Sequence, residues 1–141
     1  LKYPLFTEEV EIVKKTTSDN NSISKAVFSS DEIIEFQNLV RKIPVADNLI
    51  EYAVSIVSKS RPMSIEATET IKNYVSWGAG PRASQNLILA AKTNALIKGK
   101  YTPDKEDIRS VAKIVLRHRI IKNYKAEAEG LKIEDIIEGL F

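Results

Sequence analysis

Apolar residues recur at helical intervals over most of the chain, and the breaks between them are polar or marked by proline and glycine. Thr7, followed by Glu8 and Glu9, predicts a helix start, with a capping hydroxyl and acids in the first turn. Val10 and Val13 give that helix a weak inward stripe, and Lys14 and Lys15 suit its C-terminal end. Residues 16–25 are the most loop-like stretch, and Ala26-Val27-Phe28 reads as a short extended piece. Ser29 with Glu32 forms a capping box, after which Ile33, Phe36, Val40 and Ile43 follow helical spacing until Pro44. A third helix is predicted from about Asp47 to Ser60. Its stripe is Leu49/Ile50, Ala53/Val54 and Val57, and Pro62 closes it.

Residues 66–77 fit a helix from Glu66 to Tyr74, yet Ile71, Val75 and Trp77 equally suit a short strand. Gly78-Ala79-Gly80-Pro81-Arg82-Ala83 is the chain's glycine-rich turn. It opens a long helix from about Pro81 to Lys98 whose middle, Leu87 to Ala91, is apolar nearly all round and should be central. Gly99 is its natural stop. Thr102-Pro103-Asp104 then predicts another helix with proline at its first position. Ile108, Val111, Ala112, Val115 and Leu116 give it the clearest amphipathic pattern. Arg119 to Lys122 suits a short strand, and two short helices are expected at about 124–129 and 132–139. The fold class is mainly α, one small helical bundle with one or two short β segments.

Composition narrows the function by exclusion. A net charge of +2 over 141 residues, with Lys and Arg scattered among acids, gives no footprint for nucleic acid. No cysteine is present, so thiolate chemistry and disulfides are excluded. One histidine, His118, rules out a multi-histidine metal site, and no metal site is expected. Structural hydrogen bonding or a subunit contact suits His118 better than catalysis. No apolar run approaches the ~20 residues that span a bilayer, so membrane insertion is not expected. The acid pairs Glu8/Glu9, Glu127/Glu129 and Glu134/Asp135 read as solvated faces. Nothing fits Gly-x4-Gly-Lys-Ser/Thr, since Gly99-Lys100 is followed by Tyr101.

One residue breaks a local rule. Arg82 places a cation in the first turn of the central helix, against the helix dipole, at an expected cost of ~0.3–1 kcal/mol. An anion gripped by Arg82 and the free N–H groups of that turn would remove the conflict, with Gly78 and Gly80 allowing close approach. Pairing with a nearby acid, or plain solvation, would remove it too. Trp77 reads as a packing anchor beside the turn.

The turn opening into Leu89-Ala90-Ala91-Lys92 resembles the lid of MoxR-type AAA+ ATPases, whose motif is Gly-Ala-Ser-Pro-Arg-Ala-like, with Gly80 here in place of the serine. The resemblance continues through Ala95, Gly99-Lys100-Tyr101, Pro103, Asp107 and Val115 to Ile120. Upstream it runs through Val27, Leu39 and Val45 to Arg61, and Tyr3-Pro4 with Glu8-Glu9 resembles the linker from core to lid. It implies that Arg82 is the sensor 2 residue, reaching the γ-phosphate of ATP and coupling hydrolysis to lid rotation. Pro81 and Gly78 are placed with Arg82 among the nucleotide-binding residues, and Tyr3 and Pro4 would join them at the border of the adenine. It further implies a cytoplasmic chaperone that uses ATP and Mg2+ and assembles as a ring homo-oligomer, a hexamer. Such proteins often work with a von Willebrand factor A-domain protein. The Walker motifs and arginine finger would lie in an upstream core, so these 141 residues alone bind no cofactor and hydrolyse nothing. The start at Leu1 without methionine reads as a cut inside a longer protein. The competing reading is a stand-alone helical protein-interaction module with no nucleotide role.

Overall fold

The computed structural model describes residues 3–18 and 25–141. The chain divides into two compact units, Leu1–Ile33 and Ile34–Phe141, and the division falls within a helix.

The first unit contains α1 (Phe6–Thr16) and the opening turn of α2 (Ser30–Lys42). Leu5, not Thr7, is the N-cap of α1, and the Glu8 carboxylate accepts the Leu5 N–H at 2.8 Å. Thr7 therefore sits inside the first turn, where its hydroxyl cannot cap. Val10 and Val13 do not face a core: no residue of α1 is buried. A helix of this length needs apolar cover, and the unit has too few elements to supply it. Val27 and Phe28 form a bend instead of the expected extended piece, and Ala26 belongs to no helix or strand. The loop expected over 16–25 falls largely at 19–24, outside the described residues; Thr16 itself still belongs to α1. The Ser29/Glu32 capping box forms as read. The Ser29 N–H donates to Glu32 Oε2 at 2.7 Å, and the Glu32 N–H donates to Ser29 Oγ at 3.2 Å.

The second unit holds the core. After the rest of α2 come α3 (Asp47–Lys59), α4 (Glu69–Tyr74), β1 (Val75–Trp77) and α5 (Pro81–Ile97). Then follow α6 (Lys105–Leu116), β2 (Ile121–Lys122), α7 (Tyr124–Ala128) and α8 (Ile133–Glu138). The mainly α class with a short β pair is thus what the chain adopts. Both readings of 66–77 hold in part, since the segment is a helix capped by Thr68 and then a strand. β1 pairs antiparallel with β2, Val75 opposite Lys122 and Trp77 opposite Ile121, with an irregularity between them.

α5 is central and packs against both α3 and α6. Its innermost stripe is Ala83, Leu87, Ala91 and Ala95, each one helical repeat after the last and each wholly buried. Alanines at three of four positions let the neighbouring helices approach closely. α6 contributes Ile108, Ala112, Val115 and Leu116, as its periodicity predicted. α3 differs from expectation. Its buried face is Leu49, Ala53, Ile56 and Val57, while Ile50 and Val54 stay roughly half exposed. Steps of four and three keep Leu49, Ala53 and Ile56 on one inward face with Val57 at its edge, and Ile50 and Val54 lie further round the helix. Pro103 is not the first residue of α6; Asp104 is the cap and Pro103 precedes it. Asp104 is the better cap because its carboxylate can accept the Asp107 N–H, at 3.0 Å.

Asp107 closes the turn between α5 and α6. Its buried carboxylate accepts hydrogen bonds from Lys98 (3.1 Å), Lys100 (3.0 Å), Asn94 (2.9 Å) and the Asp104 N–H (3.1 Å). Burial opposes its ionisation, but Lys100, the Asp104 N–H and Lys98 together outweigh burial and hold it below the usual carboxylate range. Asp104, bridged by Lys100 at 2.7 Å, is lowered from 3.8 to about 2. Both carboxylates are depressed in the folded chain, so their stabilisation is present above the ordinary value and lost as pH falls through the folded values, for Asp104 from 3.8 towards 2. The urea midpoint is expected to fall across that window, with a shallower fall for Asp107→Asn. An equal slope for variant and wild type would refute this role.

Candidate functional site

The glycine-rich turn links β1 to α5, and three contacts from the end of α3 hold it. Gly78 lies against the backbone of residues 60 and 61. A Cβ built there would meet Ser60 O at 2.4 Å, Arg61 Cα at 2.6 Å and Arg61 N at 2.7 Å. The next residue, Ala79, is 1% exposed, and both its backbone groups are taken by side chains. Its N–H donates to Ser60 Oγ at 3.0 Å, and its carbonyl accepts from Arg61 Nε at 3.0 Å. Ser60 is itself buried and donates onward to the Val57 carbonyl at 2.6 Å. Sequence reading took Ser60 only as the end of a helix and noted Arg61 solely as part of the family resemblance. The bonds join positions 18 and 19 apart, and no local pattern encodes such a contact.

Gly80 is the N-cap of α5 in extended backbone, with nothing within 4 Å of its missing Cβ. Pro81 is the first helical residue and Arg82 the second, as the sequence predicted. Arg82 is exposed, the first turn of α5 carries no acid, and its side chain makes no hydrogen bond or ion pair with another described residue. Of the two alternatives to an anion contact, pairing with a nearby acid is thus not seen among the described residues. The backbone offers less than expected. Pro81 has no N–H, and the Ala83 N–H already donates to the Gly80 carbonyl at 2.9 Å, so the guanidinium is the main donor on this turn.

Gly78, Pro81 and Arg82 share one turn of the second unit; Tyr3 and Pro4 stand exposed ahead of α1, in the first unit. Gly78 makes the close contact with the backbone at the end of α3.

Trp77 is not a buried anchor. It is 71% exposed, because the irregularity between Val75 and Trp77 breaks the inward-outward alternation of β1. With Pro62, Met63 and Pro81 it borders an open hollow of about 400 Å3 beside the turn. His118 is exposed beyond the end of α6 and makes no hydrogen bond among the described residues, so the expected structural bonding is not seen. The acid pairs sit on polar faces, where Glu127 meets Lys122 at 3.2 Å, Glu129 accepts from the Tyr74 hydroxyl at 2.7 Å and Glu134 meets Arg117 at 3.4 Å. Among the described residues no acid, histidine or cysteine group could hold a metal ion, and no helix is long and apolar enough to cross a membrane.

Residues 67–140 match the model of the AAA lid domain family. Over 135 residues, 96% of the chain, the sequence is 30% identical to chaperone MoxR1 of Mycobacterium tuberculosis. Over 139 residues, 98% of the chain, it is 29% identical to the uncharacterized protein YeaC of Bacillus subtilis. It spans 36% and 41% of the length of these two relatives. A crystal structure of a putative ATPase from Cytophaga hutchinsonii superposes with a TM-score of 0.81 at 32% identity, over 99% of this chain and 43% of that one.

Proposed function

Since the chain belongs to the AAA lid domain family, we propose that it is the nucleotide-sensing lid of a MoxR-like AAA+ ATPase, with Arg82 as its sensor 2 residue. The observation that carries this reading is the placement of Arg82: an exposed cation without an acid partner among the described residues, at the start of the central helix, on a turn bonded at both ends of Ala79. A charged fork so placed suits a phosphate brought by another domain. The lid family implies nucleotide and Mg2+ in the whole protein. Arg82 fits the γ-phosphate end of that ligand, and the groups holding Mg2+ would belong to the core. Pro81 sets the helix start that aims Arg82, Gly78 lets the turn seat on α3, and Tyr3 and Pro4 would border the adenine on the linker side. Similarity to chaperone MoxR1 supports a chaperone-like remodelling or maturation of partner proteins; the ring of such subunits and a von Willebrand factor A-domain partner are what the resemblance to MoxR-type ATPases implies.

Arg82→Ala in the full-length protein is expected to weaken ATP binding by about 1.5–3 kcal/mol, the worth of a hydrogen bond to a charged group. The loss should fall on ATP more than on ADP, since only ATP carries the γ-phosphate, and turnover should fall with it. The check is the affinity for each nucleotide together with the hydrolysis rate. Wild-type ATP binding and turnover in a folded variant would end the sensor reading and favour the interaction module.

A further inference from the structure

Arg82 can grip a phosphate at a set distance only if α5 leaves the glycine-rich turn in a set direction. Helix packing fixes α5 along its stripe from Ala83 to Ala95, but Arg82 precedes that stripe. What fixes the chain ahead of it is Ala79, whose N–H and carbonyl are both bonded to consecutive residues at the end of α3. These two bonds differ in kind. Ser60 is buried, so its loss would strand a buried donor and unsettle the fold. Arg61 is exposed, and without it water can reach and satisfy the Ala79 carbonyl. The bond from Arg61 Nε therefore adds little to stability, yet it defines the plane of the peptide that leads to Pro81 and Arg82.

We infer that Arg61 is a positioning residue for Arg82: it holds the turn from which the sensor arginine projects, so that its loss degrades the response to ATP without touching the nucleotide. The inference rests on the sensor reading of Arg82 and extends it by one residue.

The test is a mutant cycle in the full-length protein, with ATP and ADP affinities measured for wild type, Arg61→Ala, Arg82→Ala and the double variant. Arg61→Ala should weaken ATP binding about tenfold, within what loss of the charged contact it positions would bring, and leave ADP nearly unchanged. The double variant should be no weaker than Arg82→Ala alone, because a positioning residue has nothing left to position. Arg61→Lys, which keeps a donor but not its planar fork, should recover part of the loss. Wild-type ATP affinity in Arg61→Ala, with Arg82→Ala impaired, overturns the inference and leaves the sensor reading intact. Additive losses overturn it too, since Arg61 would then act on its own. So does failure of both Arg61 variants to fold, which would make the role structural. If Arg82→Ala binds ATP like wild type, the sensor reading and the inference fall together.

Discussion

Gly78→Ala is expected to destabilise the helical unit by about 3 kcal/mol or more, at or beyond the upper end of ordinary overpacking. Backbone conformation is not the reason, for the glycines with left-handed φ among the described residues are Gly99 and Gly130. The reason is space. The added methyl would stand 2.4–2.7 Å from three atoms, and all three are main-chain atoms of residues 60 and 61. No side chain can rotate away to make room. Either the turn lifts off α3, which stretches both bonds to Ala79, or the end of α3 shifts and drags Ile56 and Val57 in the core. Gly80→Ser is the matched control. Its Cβ meets nothing within 4 Å, its φ of −88° suits any residue, and a hydroxyl at the N-cap can accept a helix N–H. Urea unfolding of the two variants should therefore separate them widely, Gly80→Ser staying near or above wild type. A Gly78→Ala midpoint within error of wild type would show that the 60–61 backbone yields freely and that the seat of the turn is soft.

How far the sequence reveals this molecule depends on the range of each interaction. Signals that act within a few residues are legible. The Ser29/Glu32 box, the proline start and glycine stop of α5 and the stripe of α6 all form where the pattern places them. Competition between neighbouring signals is less so. Pro103 and Asp104 both mark a helix start, and side-chain chemistry decides for the aspartate. On α3, Ile50 and Val54 look as fit for the core as Ile56, and the choice is made by which face α5 covers. The amphipathic look of α1 states what it could bury, while burial needs cover that its own unit lacks.

The candidate site divides in the same way. Arg82 stands out in the sequence because it violates a rule of its own helix, and its place at the second helical position follows from Pro81 alone. Gly78 also stands out, but as a glycine it announces freedom without saying what approaches; the approaching chain, Ser60 and Arg61, is 18 and 17 residues upstream. Ser60 and Arg61 carry no local anomaly at all. They become visible once the end of α3 lies beneath the turn, and then their two bonds account for why a glycine must stand at 78.

Leu87→Ala is expected to cost about 2–5 kcal/mol, the range for removing a leucine from a core that cannot collapse around the gap. Leu87 is 0% exposed and is the one large side chain on an inward stripe whose other members are Ala83, Ala91 and Ala95. The alanines set how closely α3 and α6 approach α5, and that spacing is held along the whole helix. At Leu87 the neighbours cannot move in to fill the void without overpacking the alanine positions one turn away on either side. Leu87→Met keeps the volume and should lose less than about 1.5 kcal/mol, which separates the cavity from any general sensitivity of the site. Urea unfolding of the three proteins measures both differences. The functional consequence follows from the same packing. If the lid transmits a change at Arg82 to its partners, it does so as a body whose helices keep their places, and packed helices move together only while the contact between them is tight. In the full-length protein, Leu87→Ala should therefore bind ATP near the wild-type level, because Arg82 and its turn are intact, but couple binding to turnover less well. A loss below about 1 kcal/mol in the unfolding experiment would mean that the centre of α5 is loosely packed, and the rigid-body argument would lose its footing.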